Sequence, residues 1–193
     1  MEILFVCTAN ICRSPYAAAA IEVAAAKAGV DLLVTSAGVR VDMLETTGYP
    51  TCEDMPYAVE RPSGWRVPRP AEHGSSQVDL ELVRSADMIL VFEPNHRAHI
   101  VNIQPRAQLR TYSVMQIMRL ADAVAAEHWP DAAPEPTGDV LRDLNLARSW
   151  APFSASDTVP DPHGHGIPAH VKAADVIDSM VANLIRAIVT RHA

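Results

Sequence analysis

The sequence predicts an α/β fold of three layers: a four-stranded parallel sheet with helices on both faces. Three observations lead there. The apolar runs Ile3-Leu4-Phe5-Val6 and Met88-Ile89-Leu90-Val91-Phe92 are continuous rather than alternating, as expected of strands buried on both sides. Each is followed by a loop and a helical stretch, the alternation that builds parallel sheets. A chain of 193 residues, 49% apolar, suffices for one domain, residues 1–193, with a sizeable core.

The elements follow in order. After the first strand, Pro15 suits a first helical turn, and the alanine-rich stretch Tyr16 to Lys27 is a strong helix former that Gly29 ends in a left-handed stop. Leu32-Leu33-Val34-Thr35 reads as a second strand closed by Ser36-Ala37-Gly38. Leu80 to Ser85 is helical, and Met88 to Phe92 is the third strand. Pro94 opens a helix carrying Ile100, Val101 and Ile103. Leu109 to Tyr112 supplies the fourth strand, and Ser113 caps a helix over Val114 to Glu127. In the last segment, Ala169 to Thr190, Val171, Ala174, Ile177, Val181, Leu184 and Ile188 recur at spacings of three and four, one long amphipathic helix. This order is a Rossmann-like arrangement. Two proline-rich stretches, about 40–70 and 128–168, read as long loops over the sheet, and the length of the second points to a functional role.

Composition removes several classes. A net charge of −7 with scattered basic residues argues against a nucleic-acid partner. No apolar run approaches the roughly 20 residues of a membrane span, so no membrane insertion is expected. Met1-Glu2 leads straight into a strand without the basic region of a signal peptide, so a cytoplasmic location is expected. Three cysteines make no disulfide framework; in a reducing compartment they are packing groups or reactive thiols.

The chemistry concentrates in Cys7-Thr8-Ala9-Asn10-Ile11-Cys12-Arg13-Ser14, where the first strand feeds the first helix. Ligands of open parallel sheets bind at such carboxyl ends. Backbone N–H groups there converge on an anion, and the helix adds the positive end of its dipole. The glycine pattern and lysine of a nucleotide loop are missing. Instead, Arg13 offers a planar fork for two oxygens of a phosphate-like ligand. Cys7 lies under the same field, which favours a nucleophilic thiolate. Ser14 can donate to that sulfur, and Asn10 can brace the loop.

Cys7, five intervening residues, then Arg13-Ser14-Pro15, within the fuller Val6-Cys7-x-x-Asn10-Ile11-Cys12-Arg13-Ser14-Pro15, resembles the phosphate loop of the low-molecular-weight protein tyrosine phosphatases. The resemblance implies a hydrolase working through a phosphocysteine with no cofactor and no metal. Thr8, Ala9, Asn10, Ile11, Cys12 and Ser14 would complete the phosphate loop. It also implies an Asp-Pro ahead of the last helix as general acid and base. Asp161-Pro162 takes that place, with Asp157, Asp131 and Asp139 as alternatives. Ser36 of Ser36-Ala37-Gly38 matches the serine that holds the loop asparagine. A tyrosine-phosphorylated protein is the implied substrate, with a tyrosine kinase as candidate partner.

Some positions stay open. Cys12 is either a thiol that traps the oxidised nucleophile as a disulfide or a packed bystander. Cys52 reads as a free surface or half-buried thiol. His163-Gly164-His165 and His170 match no standard metal spacing and read as a solvated loop. His163 stands where an aromatic residue often walls the substrate slot, and Tyr49, Tyr57 and Trp65 are further wall candidates. Three rivals share the loop. Arsenate reductases need a further cysteine pair, whereas Cys52 is alone. Protein arginine phosphatases carry threonine where Ile11 stands. A non-catalytic phosphotyrosine-binding protein would be expected to lose Cys7, Arg13 or Asp161.

Overall fold

A computed structural model of the chain describes residues 1–44, 48–125, 129 and 134–192. Four strands, β1 (Glu2–Cys7), β2 (Leu33–Gly38), β3 (Met88–Val91) and β4 (Thr111–Ser113), form one sheet in the order β2-β1-β3-β4. All pairings are parallel. The helices are α1 (Arg13–Ala28), α2 (Leu80–Ser85), α3 (Pro94–Ile103), α4 (Val114–Ala125), α5 (Val140–Ala147) and α6 (Gly166–His192).

The two-residue period of β1 divides the core. Ile3, Phe5 and Cys7 face one side with Met88, Leu90 and Tyr112, and pack with buried residues of α1, α4, α5 and α6. Leu4 and Val6 face the other with Ile89 and Val91, against Val83 of α2 and Ile100 of α3. Burial on both faces is why these strands read as unbroken apolar runs. Local signals set the helix ends. Gly29 closes α1 at φ 69°, its N–H reaching the carbonyls of Ala25 and Ala26. Asp79 caps α2 by accepting from Leu82 N at 2.8 Å, and Ser113 Oγ accepts from Gln116 N at 2.9 Å at the start of α4.

Four details differ from the sequence expectation. Ser36-Ala37-Gly38 does not close β2 but continues it, paired with Phe5, Val6 and Cys7. Leu109 belongs to a 3-10 turn (Pro105–Leu109) and is exposed, so β4 begins at Thr111. The stretch 128–168 is not all loop. Asp139 accepts from Arg142 N at 2.9 Å and starts α5, whose Val140, Leu144 and Ala147 are buried at helical spacing. Residues 128 and 130–133 of that stretch, with Asp131, and residues 126–127 of the expected fourth helix lie outside the described residues. The segment after β2 joins the core instead of lying over the sheet. Met55, Tyr57 and Val67 are buried, with the Tyr57 and Tyr16 rings 5.4 Å apart. Among the described residues, no helix is long and apolar enough to cross a membrane.

The last residue of β2 has no room for a side chain. A Cβ on Gly38 would stand 2.7 Å from Thr8 O and 2.9 Å from the Ala9 carbonyl carbon. Gly38→Ala must therefore displace the loop backbone, at a cost of about 1–3 kcal/mol. The expected result is a lower thermal midpoint with far-ultraviolet circular dichroism unchanged; an unaltered midpoint would show that the loop yields freely.

Candidate active site

The residues between β1 and α1 form a loop whose carbonyls are fastened and whose amides are not. Val39 N donates to Cys7 O at 3.0 Å and Arg40 N to Thr8 O at 2.8 Å. The N–H groups of Thr8 through Cys12 have no acceptor among the described residues. These donors lie at the N-terminus of α1, where partial positive charge favours an anion.

Asn10 is the residue on which the loop turns. Its φ is 56°, a left-handed conformation that asparagine tolerates better than most residues. Its side chain is held on every polar atom. Nδ2 donates to Ser14 Oγ and to Ser36 Oγ, both at 2.9 Å, and Oδ1 accepts from Ser76 N at 3.0 Å. His73 Nε2 donates to the Asn10 carbonyl at 2.8 Å. Four contacts from three chain segments thus offset the backbone strain.

Ser14 Oγ lies 3.0 Å from Cys7 Sγ. Because Asn10 occupies one of its lone pairs, the single hydroxyl proton is divided between the sulfur and the Ala37 carbonyl at 3.3 Å. The Ala37 contact is the longer and weaker of the two, so Ser14 is poised to stabilise negative charge on Cys7.

The Arg13 guanidinium is buried between two carboxylates. Nη1 donates to Glu93 Oε1 and to the Val159 carbonyl at 2.8 Å; Nη2 donates to Thr8 Oγ1 at 3.0 Å and to Asp161 Oδ2 at 2.6 Å. Val159 N in turn donates to Phe92 O at 2.9 Å, so the end of β3 positions the Asp161 segment. The remaining donor, Arg13 Nε, is buried without a partner among the described residues. Beneath this group His96 is fully buried, its Nε2 3.1 Å from Thr8 Oγ1. Burial, reinforced by the Arg13 charge, pushes its pKa down to about 3, so the ring is neutral.

A cavity of about 80 Å³ opens here, lined by Cys7, Ala9, Ile11, Cys12, Arg13, Leu44, Asp161 and His163. The alternative acids have other partners. Asp157 is buried with Arg119, Ser113 and the Ser154 amide; burial alone would raise its pKa, but those hydrogen bonds outweigh it and hold the carboxyl below the usual range. Asp139 caps α5. Of the wall candidates, His163 lines the cavity, whereas Tyr49, Tyr57 and Trp65 are not among its lining residues. Tyr49 pairs with Ser75 through its backbone, and Trp65 packs on the core.

The structure corrects the histidine reading. His163 and His165 are exposed, but His170 is fully buried, with Nδ1 donating to Gly166 O at 2.8 Å. Cys52, half-buried, places its sulfur 3.3 Å from His170 Nε2. Glu93, His73 and Ser76 escaped sequence reasoning because they act through tertiary contacts. A carboxylate just after a buried strand was the one available signal for Glu93.

A thiol and a buried guanidinium facing one cavity at the carboxyl edge of a parallel sheet define an α/β protein built to meet a tetrahedral anion. Residues 2–139 match the family model for low molecular weight phosphotyrosine protein phosphatases, and the chain belongs to that family. The match ends ahead of Asp161. The chain is 35% identical over 102 residues to a protein-arginine-phosphatase of Bacillus subtilis (strain 168), covering 53% of this chain and 62% of that protein. It is 33% identical over 111 residues to the low molecular weight protein-tyrosine-phosphatase Ptp of Acinetobacter johnsonii, covering 58% of this chain and 70% of that protein. Among solved structures, the low molecular weight protein tyrosine phosphatase from T. tengcongensis superposes with a TM-score of 0.65 at 20% identity, over 96% of this chain and 97% of that one. Vibrio vulnificus Wzb in complex with benzylphosphonate gives 0.62 at 22% identity, over 95% and 96%.

His96 ties the site to stability. Its folded pKa is depressed below the ordinary 6.5, so below pH 6.5 the unfolded chain binds a proton that the folded chain refuses until about pH 3. Stability from this residue is therefore complete above that window and falls on acidification, by at most about 1.4 kcal/mol per pH unit. The thermal midpoint of wild type should drop more steeply below pH 6.5 than that of His96→Asn. Parallel slopes would remove His96 as a source of the acid sensitivity.

Proposed function

We propose that residues 1–193 form one protein tyrosine phosphatase domain that hydrolyses phosphotyrosine through a phosphocysteine, with no metal in the reaction. The observation that carries this reading is the convergence of Cys7, Arg13 and Asp161 on one cavity, with Ser14 Oγ 3.0 Å from the Cys7 sulfur. The Cys7 thiolate attacks phosphorus while the Arg13 guanidinium and the loop amides hold the equatorial oxygens. Phosphate oxygens compete with Asp161 for Nη2 of Arg13, freeing the carboxyl for the leaving oxygen. As the bond from phosphorus to the phenolic oxygen breaks, Asp161 gives that oxygen its proton. Water then attacks the phosphocysteine and Asp161 takes its proton. The phosphorus–sulfur bond breaks, inorganic phosphate leaves and the thiolate is restored, steadied by Ser14.

The identity to a protein-arginine-phosphatase favours a second reading, a phosphoarginine substrate. Ile11 supports the first reading. It lines the cavity where the resemblance puts threonine in arginine phosphatases, and its branched apolar side chain suits an aromatic ring better than a guanidinium. The substrate is then a tyrosine-phosphorylated protein in the cytoplasm, opposed by a tyrosine kinase.

With a chelator present, wild type should hydrolyse a phosphotyrosine peptide faster than free phosphoarginine, and Cys7→Ser should show no turnover. A preference for phosphoarginine would replace the substrate, and activity in Cys7→Ser would remove the mechanism. Asp161→Ala should lower kcat about a hundred- to ten-thousandfold with little change in substrate binding. Asp157→Ala, by contrast, should lower the thermal midpoint and spare kcat. The reverse pattern would move the acid.

A further inference from the structure

Beside the cavity, three groups that the proposed reaction does not use come together from distant parts of the chain. Cys12 is the N-cap of α1, Cys52 lies in the segment after β2, and His170 is in the first turns of α6. One ligand atom from each lies within 4.8 Å of the other two. Cys12 and His170 are buried, and Cys52 is half-buried. We infer that Cys12, Cys52 and His170 form a binding site for a thiophilic divalent cation, of which Zn²⁺ is the natural probe.

The donor set argues for it. Two thiolates and one imidazole suit zinc, at bond lengths of about 2.3 Å to sulfur and 2.0–2.1 Å to nitrogen. Donors on such a sphere lie roughly 3.5 Å apart. The Cys52–His170 separation of 3.3 Å already matches, and the two sides to Cys12, each within 4.8 Å, need contract by little more than about 1 Å at most to close the site. The imidazole is in the correct state. Its Nδ1 donates to the Gly166 carbonyl, which leaves Nε2, the atom facing Cys52, bare for a metal. The backbone is anchored as well, since Cys52 N donates to Ile11 O at 2.9 Å and so keeps the second thiol next to the first.

A second observation points the same way. The Tyr57 hydroxyl is buried without a partner among the described residues; burial is the main cause that raises its pKa, Arg69 opposes it, and Cys12 and Cys52 add smaller contributions in the same direction as burial. Metal-bound thiolates are acceptors for such a hydroxyl, whereas neutral thiols accept weakly. A divalent cation displaces both thiol protons and leaves the buried group neutral overall. Three protein ligands leave a fourth position open. His163 Nδ1, 3.8 Å from Cys12 Sγ, is an exposed imidazole near enough to take it. The bound cation would fasten the end of the phosphate loop to the Cys52 segment and to α6, without engaging Cys7.

The site is independent of the phosphatase reading and is tested by binding. Reduced, chelator-stripped protein is titrated with Zn²⁺ against a chromophoric chelator, without thiol reductants. Wild type should take up one Zn²⁺ per chain, release about two protons and gain thermal stability. Cys7→Ser should bind equally well. Cys52→Ser and His170→Gln should each weaken binding by more than the roughly 10–100-fold that loss of an orienting partner costs. Because Cys52 is half-buried, its serine variant should keep the metal-free thermal midpoint, which separates lost ligation from lost folding. Co²⁺ should add a thiolate charge-transfer band in wild type and weaken it in Cys52→Ser. Failure of folded wild type to bind Zn²⁺ would overturn the site. So would binding that survives Cys52→Ser and disappears in Cys7→Ser, since the metal would then rest on the loop nucleophile.

Discussion

A loop whose amides find no acceptor in the protein cannot use them to hold itself together, and much of this molecule answers that constraint. The Thr8 to Cys12 amides have no acceptor among the described residues, so the loop is held by everything else. Its carbonyls are taken by Val39 and Arg40 just past β2, and by His73. Asn10, at a positive φ that costs on the order of 1 kcal/mol, is fixed by Ser14, Ser36 and Ser76. Gly38 lets the end of β2 approach closely enough for these contacts.

Arg13 poses the complementary problem, a cation almost wholly inside the protein. A buried guanidinium is tolerable only with paired charge and satisfied donors. Glu93 and Asp161 supply the charge, and Thr8 and Val159 supply neutral acceptors. The two carboxylates differ in one respect. The Glu93 side chain is 23% exposed and Asp161 40% exposed at the mouth of the cavity. Asp161 is therefore the more solvent-accessible partner of Arg13, and Glu93 the more enclosed one. His96, neutral beneath them, adds no second positive charge.

The legible parts of the sequence were those where local chemistry and tertiary structure agree. Strands buried on both faces cannot alternate, so β1 and β3 announce themselves. Cys7 and Arg13 were readable as neighbours because the loop from β1 to α1 brings both to one cavity through short-range geometry. Helix α5 was hidden because its apolar residues, although at helical spacing, span only eight residues within a proline-rich stretch, and only the Asp139 cap marks its start. The role of Ser36-Ala37-Gly38 as strand was obscured by small residues of low β-propensity, of which Gly38 stands where the loop leaves no space for a side chain. His170 looked solvated beside its exposed neighbours His163 and His165. Yet it stands four residues before Ala174 and seven before Ile177, on the buried stripe of α6, a helical signal masked by the polar residues around it.

The long segments on either side of β3 gain a physical reason from the same loop. Residues 48–79 contribute Cys52 to Ile11, and His73 and Ser76 to Asn10; residues 134–165 bring Val159 and Asp161 to Arg13. Apart from α5 in the second, the described residues of both segments are largely irregular, yet each segment reaches backbone or charged groups of the loop. Closing a long irregular segment costs little more entropy than closing a short one. Its fixation therefore depends on a few strong anchors, and buried donors and a buried cation are the strongest partners available. The parts of the chain that a strand-and-helix reading leaves unassigned are those that the loop itself organises, so folding of the scaffold and assembly of the cavity are coupled through Asn10 and Arg13.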